Sequence, residues 1–310
     1  MIKNGTNNCR VYGEYLGKLF KDHKNLVWIQ GGDRDPLDVI DHYREIANGI
    51  KKYIPDALQT YHASSSNSSS DVIPYFSNGW MNFVFTYTYF RGKMAWLTYL
   101  KFGEMPEVYE VNYFEYSNRP IRPYVLGESQ YEGEGTAGNQ IAGPEIARRQ
   151  AYWSVLSGSC GSAYGSWNWK MDTARWRDVK NDRGAWDMGI SRRFFESFNW
   201  YDLIPDIEGK IITEGKGVFG TNNYTVAAYT SDRSHLVIYL PPTGTDKRTI
   251  KVDLSLLNKP CRANWFNPAT GEIIEDKNIY QVNTQQVFVS PGNNGEGQND
   301  WVLWVVAEKE

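Results

Sequence analysis

Arg122-Pro123-Tyr124-Val125-Leu126-Gly127-Glu128-Ser129-Gln130-Tyr131-Glu132-Gly133 is the stretch on which the fold turns. Residues 124–126 form a short apolar run of the kind that makes a buried strand. The run ends in Gly127, where the backbone can turn or approach another group closely, and then in a carboxylate, Glu128. In a barrel of parallel strands the chemistry sits on the loops that follow the strand ends. A carboxylate at that point is a candidate nucleophile or base. A structural glutamate paired with an arginine would leave the same local pattern.

The pattern occurs once more, upstream. Leu26-Val27-Trp28-Ile29 reads as a buried strand and runs into Gln30-Gly31-Gly32-Asp33-Arg34-Asp35-Pro36. Helical spacing predicts a helix over residues 8–23, carrying Val11, Tyr12, Tyr15, Leu16, Leu19 and Phe20. A second helix is expected over 37–53, with Pro36 at its start. Residues 57–62 are a strand ending in His62. The serine-rich segment 64–70 that follows reads as a linker or as a surface loop over a site. His62 itself is open between metal ligand, sugar-binding donor and structural histidine, and no metal-ligand spacing accompanies it.

Residues 81–86 form the next strand and lead to an aromatic loop, Tyr87-Thr88-Tyr89-Phe90. A helical pattern lies within 94–118. The glycine-rich segment 133–143 has no lysine and no phosphate-loop spacing, so a mobile or binding loop is the better reading. Residues 144–156 are a helix whose Arg148 and Arg149 are candidates to pair with strand-end carboxylates. A strand over 161–165 exits through Ser166-Trp167-Asn168-Trp169-Lys170, and a last helix is expected over 194–200. Alternation of strand and helix implies parallel strands with covering helices. The five strands begin at Leu26, Leu58, Phe83, Tyr124 and Ser162.

The pattern changes after Pro205. Strand-type segments at 210–213, 224–229, 235–240, 249–254, 262–266, 272–275, 286–289 and 301–306 follow one another without helices. Ile250-Lys251-Val252-Asp253-Leu254 alternates, and Asn267-Pro268-Ala269-Thr270-Gly271 is a turn. The expected result is a small antiparallel β-sandwich. The fold class is therefore α/β plus all-β, with units at 1–206 and 207–310. The sandwich has no clustered acids and reads as a structural or binding module.

Composition narrows the function. Hydrophobic residues make up 41% of the 310, enough for a real core, and the formal net charge of −3 argues against nucleic acid as a partner. Aromatic residues reach 15%, with 12 Trp and 21 Tyr; beyond the share that fills the core, their flat faces suit apolar patches of sugar rings. Three widely spaced cysteines, Cys9, Cys160 and Cys261, indicate neither a disulfide framework nor a zinc motif. No run is long enough to span a membrane. Met1-Ile2-Lys3-Asn4 leads into polar residues rather than a signal peptide.

Asp33 and Glu128 each end a buried strand after glycine. Such a pair suits glycoside hydrolysis, in which one carboxyl protonates the leaving oxygen and the other attacks or activates water. Tyr87, Tyr131, Tyr164, Trp167 and Trp169 lie at strand exits and are candidate sugar platforms, and His62 is a candidate substrate contact. A nucleophilic serine or cysteine lacks its elbow motif. With only four histidines, a metal-dependent reading finds no cluster in the sequence, and neither metal nor cofactor is expected.

Trp28-Ile29-Gln30-Gly31-Gly32-Asp33-Arg34-Asp35-Pro36, Gly127-Glu128-Ser129-Gln130-Tyr131-Glu132-Gly133 and Arg149-Gln150-Ala151-Tyr152-Trp153-Ser154-Val155-Leu156 with Tyr164-Gly165 resemble the apiosidase-like glycoside hydrolases. The resemblance covers roughly residues 10–310. It implies a TIM-barrel catalytic domain followed by a sandwich labelled collagen-binding. It also implies that strand four of the barrel ends in an acid/base aspartate, here Asp33, and strand seven in a nucleophilic glutamate, here Glu128. His62 falls on the histidine after strand five. Retention of configuration, a plant-type poly- or oligosaccharide substrate and an exported, periplasmic or extracellular location are further implications.

If Asp33 ends strand four, residues 1–206 hold only strands four to eight, where a whole barrel typically takes about 250 residues. The expectation is a truncated form with reduced or no activity. Its open sheet would leave the edge at 26–29 uncovered, for a missing N-terminal barrel half or for self-association. Two other functions compete: a non-catalytic carbohydrate-binding protein, which has no need of two convergent carboxylates, and a protein-binding module. If the glycosidase reading holds, Tyr131 and Trp169 should share a cleft with Glu128, and the two carboxyls should stand about 5–5.5 Å apart. Asp33, as the acid, should be buried or lie beside a negative charge.

Overall fold

A computed structural model of the chain describes residues 2–36, 38–72, 79–89, 102, 106–135, 141–171, 177 and 180–308. In its N-terminal part helices and strands alternate: α1 (Gly5–Phe20), β1 (Val27–Gly31), α2 (Ile40–Lys51), β2 (Leu58–His62), β3 (Asn67–Ser68), α3 (Ser69–Val72), β4 (Val84–Tyr87), α4 (Val108–Ser117), β5 (Tyr124–Glu128), α5 (Pro144–Leu156) and α6 (Arg183–Phe195). Residue 37, residue 90, most of 94–105 and residues 136–140 of the expected elements and loops lie outside the described residues.

β1 and β2 pair in parallel, Val27 opposite Leu58 through to Gly31 opposite His62. β4 and β5 also pair in parallel, and Leu126 of β5 bridges Ser162 in the same sense. The Asn82 N–H donates to the Gln59 carbonyl at 3.0 Å and joins the approach to β4 to β2. Spatial order therefore follows chain order, the arrangement produced when each short crossover leads to the adjacent parallel strand. Among the described residues no strand pairs with the outer edge of β1, and none continues the sheet beyond Ser162.

Several expectations need correction. The strand expected over 161–165 is reduced to a bridge at Ser162, made by Leu126 N–H to Gly161 O at 3.1 Å and Ala163 N–H to Leu126 O at 2.8 Å. Tyr87 is the last residue of β4 rather than part of a loop, since pairing with β5 carries the strand to it. The last helix is α6 at 183–195, not 194–200. Its inward stripe is Gly184, Asp187, Ile190, Ser191, Phe194 and Phe195, and a buried aspartate breaks the apolar periodicity. The serine-rich segment is neither linker nor surface: Ser64 to Ser69 are buried. Several hydroxyls of the run have internal partners, Ser64 donating to Asp35 at 2.7 Å, Ser68 and Ser70 each donating to Glu115 at 2.5 Å and Ser69 accepting from the Phe85 N–H at 2.9 Å. Only part of the predicted α1 stripe is covered. Cys9, Gly13 and Gly17 are buried, the glycines against α2 at Ile46 and Ile50, while Val11, Tyr12, Tyr15 and Leu19 are exposed.

The C-terminal part is antiparallel. β6 (Leu203–Pro205), β7 (Ile212–Glu214), β8 (Val226–Thr230), β9 (His235–Leu240), β10 (Thr249–Asp253), β11 (Cys261–Phe266), β12 (Ile273–Glu275), β13 (Gln285–Val289) and β14 (Trp301–Ala307) form two sheets. Six strands run in the order β12-β11-β14-β9-β8-β6 and three in the order β13-β10-β7. β6 lies ahead of the expected division at 206/207 yet belongs to the larger sheet. Leu236, Ile238, Leu303 and Val305 of that sheet face Ile250, Val252 and Phe288 of the smaller one. Its opposite face packs Val226, Val237, Tyr239, Phe266 and Val302 onto Tyr109, Tyr152, Trp153, Phe194 and Phe195 of α4, α5 and α6. Tyr152 and Tyr239 stack at 4.8 Å.

Arg148 points into this seam and not at a strand-end carboxylate. Fully buried, it is held by Asp300 through Nε at 2.9 Å and Nη2 at 3.0 Å, and by Asp187 through Nη1 at 2.6 Å. Cys9, Cys160 and Cys261 are all free. Among the described residues no helix is long and apolar enough to cross a membrane.

Candidate active site

The ends of four strands, β1, β2, β4 and β5, converge. Gly31, Gly32 and Asp33 leave β1 with φ of 87°, 139° and 49°, a left-handed run that two glycines make accessible and that Asp33 must follow. Tyr61 fastens the loop by donating its hydroxyl to the Arg34 carbonyl at 2.7 Å. His62 ends β2, Tyr87 ends β4 and Glu128 ends β5. Gly127 is needed for close approach: a Cβ there would stand 1.9 Å from the ring of Phe85. That ring lies 4.5 Å from the imidazole of His62 and forms the floor beneath it.

Hydrogen bonds link the four side chains. Glu128 Oε2 is 2.7 Å from His62 Nε2, and Glu128 Oε1 accepts from the Tyr131 hydroxyl. Tyr87 donates to Asp33 Oδ1 at 2.9 Å. His62 Nδ1 has two neighbours, the Ala63 carbonyl at 2.9 Å and the Asp33 N–H at 3.3 Å. The Ala63 contact takes a proton on Nδ1 and the Asp33 contact a lone pair there, so the two alternate with the tautomer, while Nε2 and Glu128 share a proton. Burial works against the charged ring. The hydrogen bond and charge of Glu128, the Ala63 carbonyl and the charge of Asp33 outweigh burial and push the imidazole above its ordinary value. Burial likewise works against the Glu128 carboxylate, yet His62, Tyr131 and Tyr87 hold it below the ordinary glutamate value.

One ligand-type atom each from Asp33, His62 and Glu128 lies within 4.8 Å of the others, a cluster that sequence spacing did not reveal. The oxygens already have partners suited to a proton-bonded site: both Glu128 oxygens and one Asp33 oxygen face hydroxyl or imidazole donors. That donor set fits an ionised carboxylate better than a cation, which would compete with each donor for the same lone pairs.

A cavity of about 560 Å³ opens over the cluster. Glu128, His62, Tyr131, Tyr164 and Trp169 line it, with Phe85, Ser166, Asn168 and Lys180, which the sequence analysis did not single out. Trp169 is about half exposed, at 53%, so its ring is open to a ligand. Tyr164 presents its ring while its hydroxyl donates to Glu132 at 2.5 Å. Trp167 is exposed but is not among the lining residues, nor are Asp33 and Tyr87, which meet the cavity through His62 and Glu128. Asp33 is exposed, so of the two environments expected for it only the neighbouring carboxylate is present. Lys180 had no strand or motif beside it to mark it.

Comparison with known proteins places this geometry. In fold the chain is similar to a solved glycoside hydrolase at TM-score 0.83 and 22% identity, covering 99% of this chain and 70% of that one. It is similar to a family 5 glycoside hydrolase from Bacteroides vulgatus at TM-score 0.82 and 21% identity, covering 98% and 67%. A family 30 endoxylanase from Clostridium papyrosolvens follows at TM-score 0.54 and 15% identity, covering 98% and 72%. No protein of curated function matches in sequence. The chain thus has a glycoside hydrolase-like fold joined to an antiparallel sheet domain. Residues 204–306 match the family described as "Putative collagen-binding domain of a collagenase". Residues 3–202, which hold Asp33, His62 and Glu128, match the apiosidase-like catalytic domain, and the chain belongs to that family.

Proposed function

We propose that the chain is a retaining glycosidase of plant-type poly- or oligosaccharides, with Glu128 as nucleophile and Asp33 as acid/base. One observation carries the reading: the two residues bring carboxylate oxygens within 4.8 Å of each other at the ends of β1 and β5. Retaining enzymes hold their carboxyls about 5–5.5 Å apart, and inverting ones leave about 6.5–9.5 Å for a water. The short separation favours retention.

In the first step Glu128 attacks the anomeric carbon as the bond to the leaving oxygen breaks, and Asp33 gives that oxygen its proton. In the second, Asp33 takes a proton from water as the water oxygen displaces Glu128. His62 and Tyr131 orient Glu128 and keep it ionised. The exposed face of Trp169 and the rings of Tyr131 and Tyr164 are the sugar contacts. The endoxylanase among the similar structures supports a plant-type substrate.

The test is a panel of aryl glycosides and plant oligosaccharides with the product anomer followed by NMR, together with a 2-fluoro glycoside inactivator and mass spectrometry. The expected outcome is retention, a covalent adduct on Glu128, and no turnover by a folded Glu128→Gln variant. Asp33→Asn should slow substrates with poor leaving groups far more than activated aryl glycosides. Normal turnover by Glu128→Gln, or an inverted product, would sink the assignment.

A further inference from the structure

We infer that a cavity at the rim of the seam between α6 and the larger sheet is a second, non-catalytic saccharide-binding site, which takes a neutral sugar unit on a plate formed by Trp304 and His235. The inference concerns binding and does not depend on the glycosidase reading.

Strand register makes the plate. β9 and β14 pair with Trp304 opposite Val237 and Val306 opposite His235. Trp304 and His235 are therefore diagonal neighbours, on the face of the sheet turned to the helices. The Trp304 Nε1–H donates to His235 Nδ1 at 3.1 Å, and the two ring planes lie 10° apart with centroids 5.8 Å from each other. An indole N–H points along the plane of its own ring. The two rings thus stand side by side close to one plane and make a flat surface longer than either. Buried Phe194 meets Trp304 edge-on at 5.6 Å. Phe198 lies against both rings, 5.0 Å from His235 and 6.2 Å from Trp304. A plate held in this way is ordered before a ligand arrives, which is what a weak, shallow ligand such as a sugar requires.

α6 stops at Phe195, and a cavity of about 740 Å³ opens beyond it, lined by Trp304, His235, Phe198, Asp232 and Asn258 among others. It shares no lining residue with the cavity over Glu128. Its size lies within the range of about 300–1,000 Å³ usual for ligand sites. Asp232 supplies the polar side. Its Oδ1 accepts from the Thr230 hydroxyl at 2.6 Å, the Ser234 hydroxyl at 2.7 Å and the Ser234 N–H at 3.0 Å, while Oδ2 accepts no hydrogen bond among the described residues. Those donors hold the carboxyl below the ordinary aspartate value, so it is ionised at neutral pH. A sugar ring brings both halves of the match: a face of C–H groups for the plate, and hydroxyl donors around it for Oδ2. Other ligands match one half only. An anion meets the Asp232 charge, and a wholly apolar molecule desolvates that carboxylate without replacing its water. A proline-rich peptide would suit the rings but has few N–H groups to give.

The test is NMR of the labelled protein titrated with the hexaoses of xylose, arabinose, glucose, mannose and galactose, with a proline-rich peptide as the comparison. It is run on wild type and on Trp169→Ala, which removes an exposed ring from the other cleft. At least one of the sugars should shift the Trp304 indole N–H and the amides of residues 230–235 and 258–259 saturably, with the same affinity in both proteins. Asp232→Asn keeps Oδ1 as an acceptor for Thr230 and Ser234 and turns Oδ2 into a donor. The side chain is exposed, so the variant should fold, and it should bind that sugar about tenfold more weakly. Four results would each overturn the inference: no shift at these residues with any of the sugars, shifts that vanish in Trp169→Ala, unchanged affinity in Asp232→Asn, or shifts produced by the peptide and by no sugar. Turnover is not measured, so the outcome stands apart from the roles of Glu128 and Asp33.

Discussion

Replacing Arg148 by methionine, which keeps its length and removes its charge, should destabilise the whole chain. The guanidinium is fully buried and gives three charge-assisted hydrogen bonds, two to Asp300 and one to Asp187. After Arg148→Met, Asp187 still accepts from Arg183 at 2.9 Å. Among the described residues Asp300 keeps only neutral donors, Asn294 at 2.6 Å and the Tyr239 hydroxyl at 3.2 Å, and it remains buried. Removing one partner of a buried ion pair costs about 3–5 kcal/mol, because the other charge stays desolvated. Against a total stability of about 5–15 kcal/mol, that is a large share. Urea unfolding should show the midpoint falling by about 1 M or more with little change in slope. The cost comes from the stranded carboxylate and not from the lost contacts. Arg148→Met combined with Asp300→Asn, which neutralises that carboxylate and keeps an acceptor for Asn294, should therefore recover most of the loss. A single variant that loses less than about 1 kcal/mol, or a double variant that recovers nothing, would refute the stranded-charge argument.

Two further predictions concern the strand ends. Gly127→Ala puts a Cβ 1.9 Å from the Phe85 ring, which His62 blocks from moving, so it should cost about 1–3 kcal/mol and most of the activity; a stable, active variant would show that the floor can shift. His62→Gln tests the ion pair through pH. The raised His62 pKa adds stability that is whole below the ordinary value of 6.5 and fades as pH rises through the folded value. The lowered Glu128 pKa adds stability that is whole above 4.5 and fades as pH falls through the folded value. The melting-temperature gap between wild type and His62→Gln should thus be widest between pH 4.5 and 6.5 and narrow on the alkaline side, and a gap independent of pH would contradict the pairing.

Local patterns were readable where the local chain decides the outcome. A short apolar run, a glycine and a carboxylate marked the ends of β1 and β5, because strand length and backbone freedom are local properties. Pro144 at the first turn marked α5, which occupies the predicted residues 144–156. What the fold alone could show was convergence. Asp33 and His62 are 29 positions apart and His62 and Glu128 are 66, and nothing in their spacing announces a shared site. The serine run misled for a definite reason. Polarity predicts exposure only when the hydroxyls lack internal partners, and here Glu115, itself buried, accepts from two of them. Asp187 hid α6 in the same way, as a buried charge whose counter-ion sits on another helix.

The sandwich bears on the site through α5. One face of this helix lies in the seam with the larger sheet, where Arg148 is clamped and Tyr152 stacks on Tyr239. Gln150, two residues on, reaches Ser129 at 2.9 Å, next to Glu128. The larger sheet is therefore apolar on both faces, one turned to its companion sheet and the other to α4, α5 and α6. Parting the two units would expose Tyr239, Phe266 and Val302 on one side and Tyr152 and Phe194 on the other, and would strand Arg148 from Asp300. A detachable binding module keeps its contact with its neighbour small and polar. This contact is a core, so any ligand of the sandwich has to use its loops, its edges or the outer face of the smaller sheet, where Val287 and Val289 are exposed, and the face toward α5 serves to hold the helix that backs the Glu128 loop.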